Sequence, residues 1–273
     1  MRIVCVAGAR PNYMKVKPVM DALEAAGAEV ILVHTGQHYD AAMNDVFFTE
    51  LGIRPPDHFL QVGSASQAVQ TGRVMAAFEP LAGELRPDAV VVVGDVNSTV
   101  GCALVTAKSG ALLAHVEAGL RSRDWDMPEE VNRVVTDRLS DYLFAPSADA
   151  VDNLRAEGYR PDQIHLAGNV MVDTLLANLD RALASDVLSR LGLSSGGYAL
   201  VTLHRPANVD DPGALAGDAR AAGRLPHLPA AAQGGVKDPD GVEHVLGVDL
   251  PGGQGPLPAV RLVPGAAQGG ICQ

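Results

Sequence analysis

The sequence predicts an α/β protein built on a doubly wound parallel sheet, and three observations carry that expectation. Short, continuously apolar runs alternate with helix-length amphipathic stretches through most of the first 184 residues. The runs are rich in Val, Leu and Ala, as strands buried on both faces require. Aromatic residues supply only 4% of a chain that is 47% hydrophobic, so small aliphatic side chains must fill the core.

Taken in order, Ile3–Ala7, Val30–Val33, Ala89–Val93, Leu112–Val116 and Tyr142–Ala145 read as strands. Helical spacing is predicted over Met14–Ala26, Ala41–Leu51, Gln67–Leu85, Ser98–Ser109, Pro128–Leu139 and Met171–Ala184. A further strand at Tyr198–Thr202 opens what reads as an incomplete second domain. The boundaries expected are 1–185 for the first domain, 186–216 for the start of the second, and 217–273 for an irregular tail. Between Gly217 and Gln273 there are twelve glycines, seven prolines and no Phe, Tyr or Trp. That mixture leaves no periodic apolar face to bury. Val245–Leu250 and Ala259–Val263 are the runs there with strand character, and nothing in the sequence links them.

Composition narrows the partners. Twenty-one Lys and Arg against 32 Asp and Glu give a net charge of −11, which argues against nucleic acid or an anionic membrane. The amino-terminal apolar run is too short for a signal peptide, and no apolar stretch is long enough to span a bilayer, so a cytoplasmic location is expected. Cys5, Cys102 and Cys272 show no metal spacing and read as small hydrophobes in a reducing compartment.

Polar residues stand where the strands end. Gly8-Ala-Arg10, Gln37-His38, Gly94-Asp95 and Glu117-Ala-Gly119 each follow an apolar run. In a parallel sheet those ends share one edge, where open α/β sheets bind ligands. Arg10 and Lys15 flank the first turn, beside a helix amino terminus that favours phosphate; the bland alternative is a pair of solvated cations. The turn is not GxGxxG, so no nicotinamide or flavin cofactor is expected. Pro128 suits a first helical position, and Glu129, Asn132 and Arg133 fall on one face at i, i+3 and i+4. An ordinary exposed Glu–Arg pair would look the same. His204, just past a strand, fits either a ligand-binding group or a buried hydrogen-bonded ring. His115 and Glu117, two apart, would share a strand face, but no third ligand follows and no metal site is expected.

Read together, GARPNYMK at 8–15, GDVNST at 94–99, HVEAGLRS at 115–122, PEEVNR at 128–133, GN at 168–169 with Asp173, and TLHRPAN at 202–208 resemble the non-hydrolysing UDP-N-acetylglucosamine 2-epimerases. The likeness runs from Met1 to about Ala216. It implies a GT-B-like architecture, two Rossmann-like domains with a UDP-sugar between them, a homodimer and no cofactor. It also implies that Asp95, Glu117 and Glu129 are acid/base carboxylates and that Arg133 is an orienting cation. Arg10 and Lys15 would contact the nucleotide, and His204 would reach the substrate from the second domain. The activity implied is interconversion of UDP-N-acetylglucosamine and UDP-N-acetylmannosamine; a hydrolysing relative or a GT-B glycosyltransferase are the enzymatic alternatives. Two departures stand out. QHYDAAMND at 37–45 only partly matches the stretch that binds an activating UDP-GlcNAc in bacterial members. The Pro-x-His and DSGG-x-QEE segments of the second domain are missing. Residues from about Gly217 are therefore expected to be something other than the family's second domain, as in a truncated or frame-shifted chain with little activity.

Overall fold

The computed structural model describes residues 1–37, 52–194, 198–201, 211, 213, 244–249 and 262–264. The chain divides into two compact units, the first built on Met1–Leu179 and the second lying within Asp180–Ile271.

The elements of the first unit follow the alternation read from the sequence. Strands β1 (Arg2–Ala7), β2 (Glu29–His34), β3 (His58–Phe59), β4 (Ala89–Val93), β5 (Leu112–Val116), β6 (Tyr142–Ala145) and β7 (Ile164–Leu166) interleave with helices. The helices are α1 (Arg10–Ala25), α2 (Gln67–Leu85), α3 (Asn97–Ser109), α4 (Pro128–Leu139), α5 (Ala148–Ala156) and α6 (Val170–Leu183). The predicted helix Ala41–Leu51 lies outside the described residues. All seven strands pair in parallel, in the order β3-β2-β1-β4-β5-β6-β7. Strand order reverses at β1, which pairs with both β2 and β4. This is a Rossmann-like sheet with its topological switch between β1 and β4.

Alternation along the strands builds two cores. Ile3, Cys5 and Ala7 of β1 join Val91 and Val93 beneath Tyr13, Val16 and Met20 of α1. Val4 and Val6 face the opposite side with Val90 and Val92, covered by Val74 and Phe78 of α2 and Cys102 and Ala103 of α3. A smaller cluster of Leu143, Ala150, Val151 and Leu154 seats α5. The thiols of Cys5 and Cys102 are free and buried, and burial pushes Cys5 up to about 12. Among the described residues no helix is long and apolar enough to cross a membrane.

In the second unit a short helix α7 (Val187–Leu191) precedes β8 (Tyr198–Val201). β8 pairs antiparallel with β9 (His244–Asp249), which pairs antiparallel with β10 (Leu262–Pro264). Antiparallel neighbours need no crossover helix, unlike the parallel strands of the first unit. The tail that reads as irregular thus supplies two strands to this sheet, one at each of the strand-like runs.

Candidate active site

The carboxyl ends of β1 and β4 flank the topological switch of the sheet, where open α/β sheets bind ligands, and two glycines set how close the turns there come. A Cβ on Gly8 would lie 2.2 Å from Ser98 Oγ, so the first turn of α3 packs directly on the β1–α1 turn. Asn12 closes that turn from within: its Oδ1 accepts the Gly8 and Ala9 N–H groups at 3.1 and 2.9 Å, and its Nδ2 donates to the Val93 carbonyl. Two amides beside the amino terminus of α1 are therefore bonded within the protein. Gly94 has φ +66°, a backbone state natural to glycine. From where its Cβ would stand, Lys15 Nζ is 3.1 Å, Glu117 Oε2 3.4 Å and Asn12 Nδ2 3.5 Å away. Bare backbone is thus the floor on which these polar groups meet.

Glu117 reaches this floor by leaving the strand. β5 ends at Val116, and Glu117 has φ +77°, in the left-handed region that costs an L-residue about 1–2 kcal/mol. The turn is held because the Glu117 and Ala118 N–H groups both donate to the Phe144 carbonyl, at 3.0 and 3.1 Å. Gly119, φ +81°, lies so near α5 that a Cβ would come within 2.4 Å of the Ala150 carbonyl oxygen. His115 and Glu117 therefore do not share a strand face as strict alternation predicts. The carboxylate of Glu117 instead accepts a hydrogen bond from Lys15 Nζ, and the pair is mostly sheltered from solvent.

A second ion pair stands beside the first. Arg133 on α4 bonds Asp95 Oδ2 at 2.6 Å and Glu130 Oε2 at 3.2 Å. Asn132 Nδ2 donates to the Asp95 carbonyl at 2.9 Å and to Asn97 Oδ1 at 3.2 Å. Asn97 in turn donates to Gln70, and Gln37 Oε1 accepts from Ser98. Glu130 is buried and receives the Ser122 and Arg123 N–H groups at 2.9 and 2.8 Å, fixing the loop before α4. Burial opposes its charge, but those hydrogen bonds and Arg133 hold Glu130 below the usual carboxylate range.

Beneath both turns lies a cluster centred on the fully buried His115 and Asp137. His115 Nε2 is 2.8 Å from the Gly94 carbonyl oxygen, and its Nδ1 is 2.6 Å from Asp137 Oδ1. Asp137 Oδ2 accepts from the Gly119 N–H at 3.0 Å and pairs with Arg121 at 2.7 Å. Arg121 also grips Glu157 with two nitrogens, each at 2.7 Å. Burial works against Asp137, yet the His115 hydrogen bond and the His115 and Arg121 charges hold its carboxyl low.

The profile of one known family, described as UDP-N-acetylglucosamine 2-epimerase, matches residues 21–231 of this sequence. The chain belongs to the UDP-N-acetylglucosamine 2-epimerase family. Among its relatives, the Pseudomonas aeruginosa UDP-2,3-diacetamido-2,3-dideoxy-D-glucuronate 2-epimerase is 43% identical over 78% of this chain and 60% of its own length. The Methanocaldococcus jannaschii UDP-N-acetylglucosamine 2-epimerase is 41% identical over 77% of this chain and 58% of its own length. The crystal structure of the M. jannaschii enzyme with UDP-GlcNAc and UDP superposes with a TM-score of 0.70 at 39% identity, covering 77% of this chain and 59% of that one. The chain thus spans about 60% of the length of these relatives.

Of the residues that the 2-epimerase likeness points to, Lys15, Asp95, Glu117 and Arg133 are brought into two adjoining ion pairs. Arg10 opens α1, and its side chain lies outside the described residues, as does His204. Glu129 is exposed in the first turn of α4. Sequence reading passed over Glu130, Asp137, Arg121 and Asn12. The available signal was α4 itself, which buries Glu130, Asn132, Thr136 and Asp137 while exposing Val131. Two acids seven residues apart on one helical face are a mark of a helix whose polar side is turned inward.

Proposed function

We propose that this protein inverts C2 of a UDP-linked N-acetylhexosamine, interconverting UDP-N-acetylglucosamine and UDP-N-acetylmannosamine. The carrying observation is the meeting of Lys15, Glu117 and the Asp95–Arg133 pair around Gly94, at the switch of a sheet whose relatives act on nucleotide sugars. The proton on C2 is not acidic in the ground state. Loss of UDP from C1 builds oxocarbenium character that acidifies it, and a base then takes the C2 proton to leave a glycal. Reprotonation at C2 from the opposite face and return of UDP to C1 complete the inversion. Carboxylates on the two faces of the ring suit these transfers; Glu117 and Asp95 are two, and Glu129 is a third. Arg10 and Lys15 would hold the nucleotide phosphates, drawing Lys15 from Glu117 as substrate binds. His204 would act on the substrate side. No step calls for a metal or a redox cofactor. A homodimer belongs to the same proposal and is checked by sedimentation.

The P. aeruginosa relative favours a second substrate, since it is named for a UDP-2,3-diacetamido uronate and is as similar as the UDP-GlcNAc enzymes. The test is to incubate the 273-residue chain with each sugar nucleotide in heavy water. Deuterium at C2 of an intact UDP-ManNAc product supports the proposal. Free ManNAc with UDP would move the chain to the hydrolysing type, and an original hydrogen fully retained at C2 would sink the elimination route. Binding of UDP is followed independently of turnover by isothermal titration calorimetry. No turnover of either sugar and no calorimetric binding of UDP would reject the reading.

A further inference from the structure

We propose that Asp137 is a positioning residue which, with a doubly protonated His115, forms a buried charged pair locking the Gly94–Asp95 turn to the Glu117–Arg121 turn. What the lock serves rests on the functional reading above; that it exists rests on hydrogen-bond chemistry alone.

The ring of His115 faces an acceptor at each nitrogen. A carbonyl oxygen can only accept, so Nε2, 2.8 Å from the Gly94 oxygen, carries a hydrogen. Across the ring, Asp137 Oδ1 lies 2.6 Å from Nδ1, at the short end for an N–H···O contact, as charge assistance, with its usual span of about 2.7–2.9 Å, favours. The other oxygen of Asp137 already takes the Gly119 N–H and the Arg121 guanidinium. A carboxylate with those donors is an acceptor, which leaves the second proton on Nδ1. Both partners are fully buried, so neither is reached by solvent. The chain of contacts then runs from the backbone of Gly94, through the ring and the carboxylate, to the backbone of Gly119. Asp95 adjoins the first end, and Glu117 sits two residues from the second. An ordinary core pair would contribute stability; this one also fixes the separation of two proposed proton carriers.

Asp137→Asn tests it, because the amide keeps the shape of the carboxylate. Its oxygen can still serve Gly119 and Arg121, and its NH2 can donate to a neutral ring. In the full chain, ¹⁵N spectra of histidine are expected to show two protonated ring nitrogens for His115 in the wild type and one in the variant. The rate of deuterium entry at C2 of UDP-GlcNAc, followed with enzyme in excess, should fall about 10- to 100-fold while KM moves less than about threefold. A variant that is folded by circular dichroism and exchanges at the wild-type rate overturns the positioning role. A bare Nδ1 on the wild-type ring overturns the charged pair. If the wild type neither exchanges C2 hydrogen nor binds UDP, the functional reading fails, and the spectrum still decides the pair.

Discussion

Glu117 has to satisfy two demands that ordinarily select different residues. Its backbone sits at φ +77°, where glycine is at ease, while its carboxylate must meet Lys15 beside Gly94. The strained turn is held by the paired N–H bonds to Phe144. Glu117→Gln keeps that backbone and the side-chain size but removes the base. We expect kcat to drop by roughly 10²-fold, on the usual scale for acid/base groups. Near-normal turnover in the glutamine variant would leave Glu117 a structural residue. His34 gives a second expectation, set by pH. It is 2% exposed, stacked between Tyr13 and Phe59 with ring centroids 5.3 and 5.0 Å away, and burial pushes it down to about 4. The folded state therefore binds fewer protons than the unfolded one between about pH 6.5 and pH 4. The stability of a neutral His34 is fully present above about pH 6.5 and is lost as pH falls, to the order of 3 kcal/mol. His34→Phe should flatten the pH dependence of the unfolding free energy over that interval in denaturant titrations, and an unchanged slope would count against it. At this scale the sequence exposed the charged ends of the strands but not what they touch. Lys15, Asp95, Glu117 and Arg133 were singled out through the family resemblance, since position along the chain alone left solvated cations and an ordinary Glu–Arg pair open. Choosing between the neighbours Glu129 and Glu130 for the buried position required the fold.

Among the elements, β1, β4, β5 and β6 were legible because each is an uninterrupted apolar run, and helix α2 because its periodic stretch is long. β3, β7 and α5 escaped notice, being two, three and nine residues long, too short for a period to establish itself. α4 was found at its observed limits, yet the face it buries defies the usual rule, since Glu130 and Asp137 go inward and Val131 stays out. Apolarity cannot orient such a helix, because its partners are ion pairs. The contact between the β1–α1 turn and α3 makes a sharper test of element packing. A Cβ at residue 8 would fall 2.2 and 2.3 Å from the Oγ and Cβ of Ser98, too close without movement of backbone. Gly8→Ala should destabilise by about 1–3 kcal/mol, the range for overpacking. Ser98→Gly removes the obstructing atoms along with the Thr35 and Gln37 hydrogen bonds. In a double-mutant cycle Gly8→Ala should therefore cost clearly less in the Ser98→Gly background than in the wild type. Equal costs in the two backgrounds would mean that the strain lies elsewhere.

For the molecule as a whole, the family likeness and the tail pull apart. The first unit carries a complete seven-stranded sheet and two ion pairs at its switch. The stretch from about Gly217 carries the glycine- and proline-rich composition described above, and its described strands pair antiparallel. We propose that this stretch is not the family's second domain. Translating the gene in its other two frames downstream of the Ala216 codon should then uncover a DSGG-type motif, and the 273-residue chain should turn over slowly. The absence of that motif in both frames, together with turnover at the rate of the M. jannaschii relative, would refute this. For that proposal the sequence offers a change in composition and motifs that stop. It could not foresee which of the remaining residues pair, because short runs such as His244–Asp249 take their partners from distant chain.

The bond from His115 to Gly94 has one more effect, which belongs to the geometry of the peptide link. In a trans peptide the carbonyl of one residue and the N–H of the next are rigidly opposed. With no cis peptide in the described chain, anchoring the Gly94 oxygen on a buried ring turns the Asp95 N–H the other way, out of the core. The histidine thereby fixes the direction of one backbone dipole at this turn, although no part of its own ring is exposed.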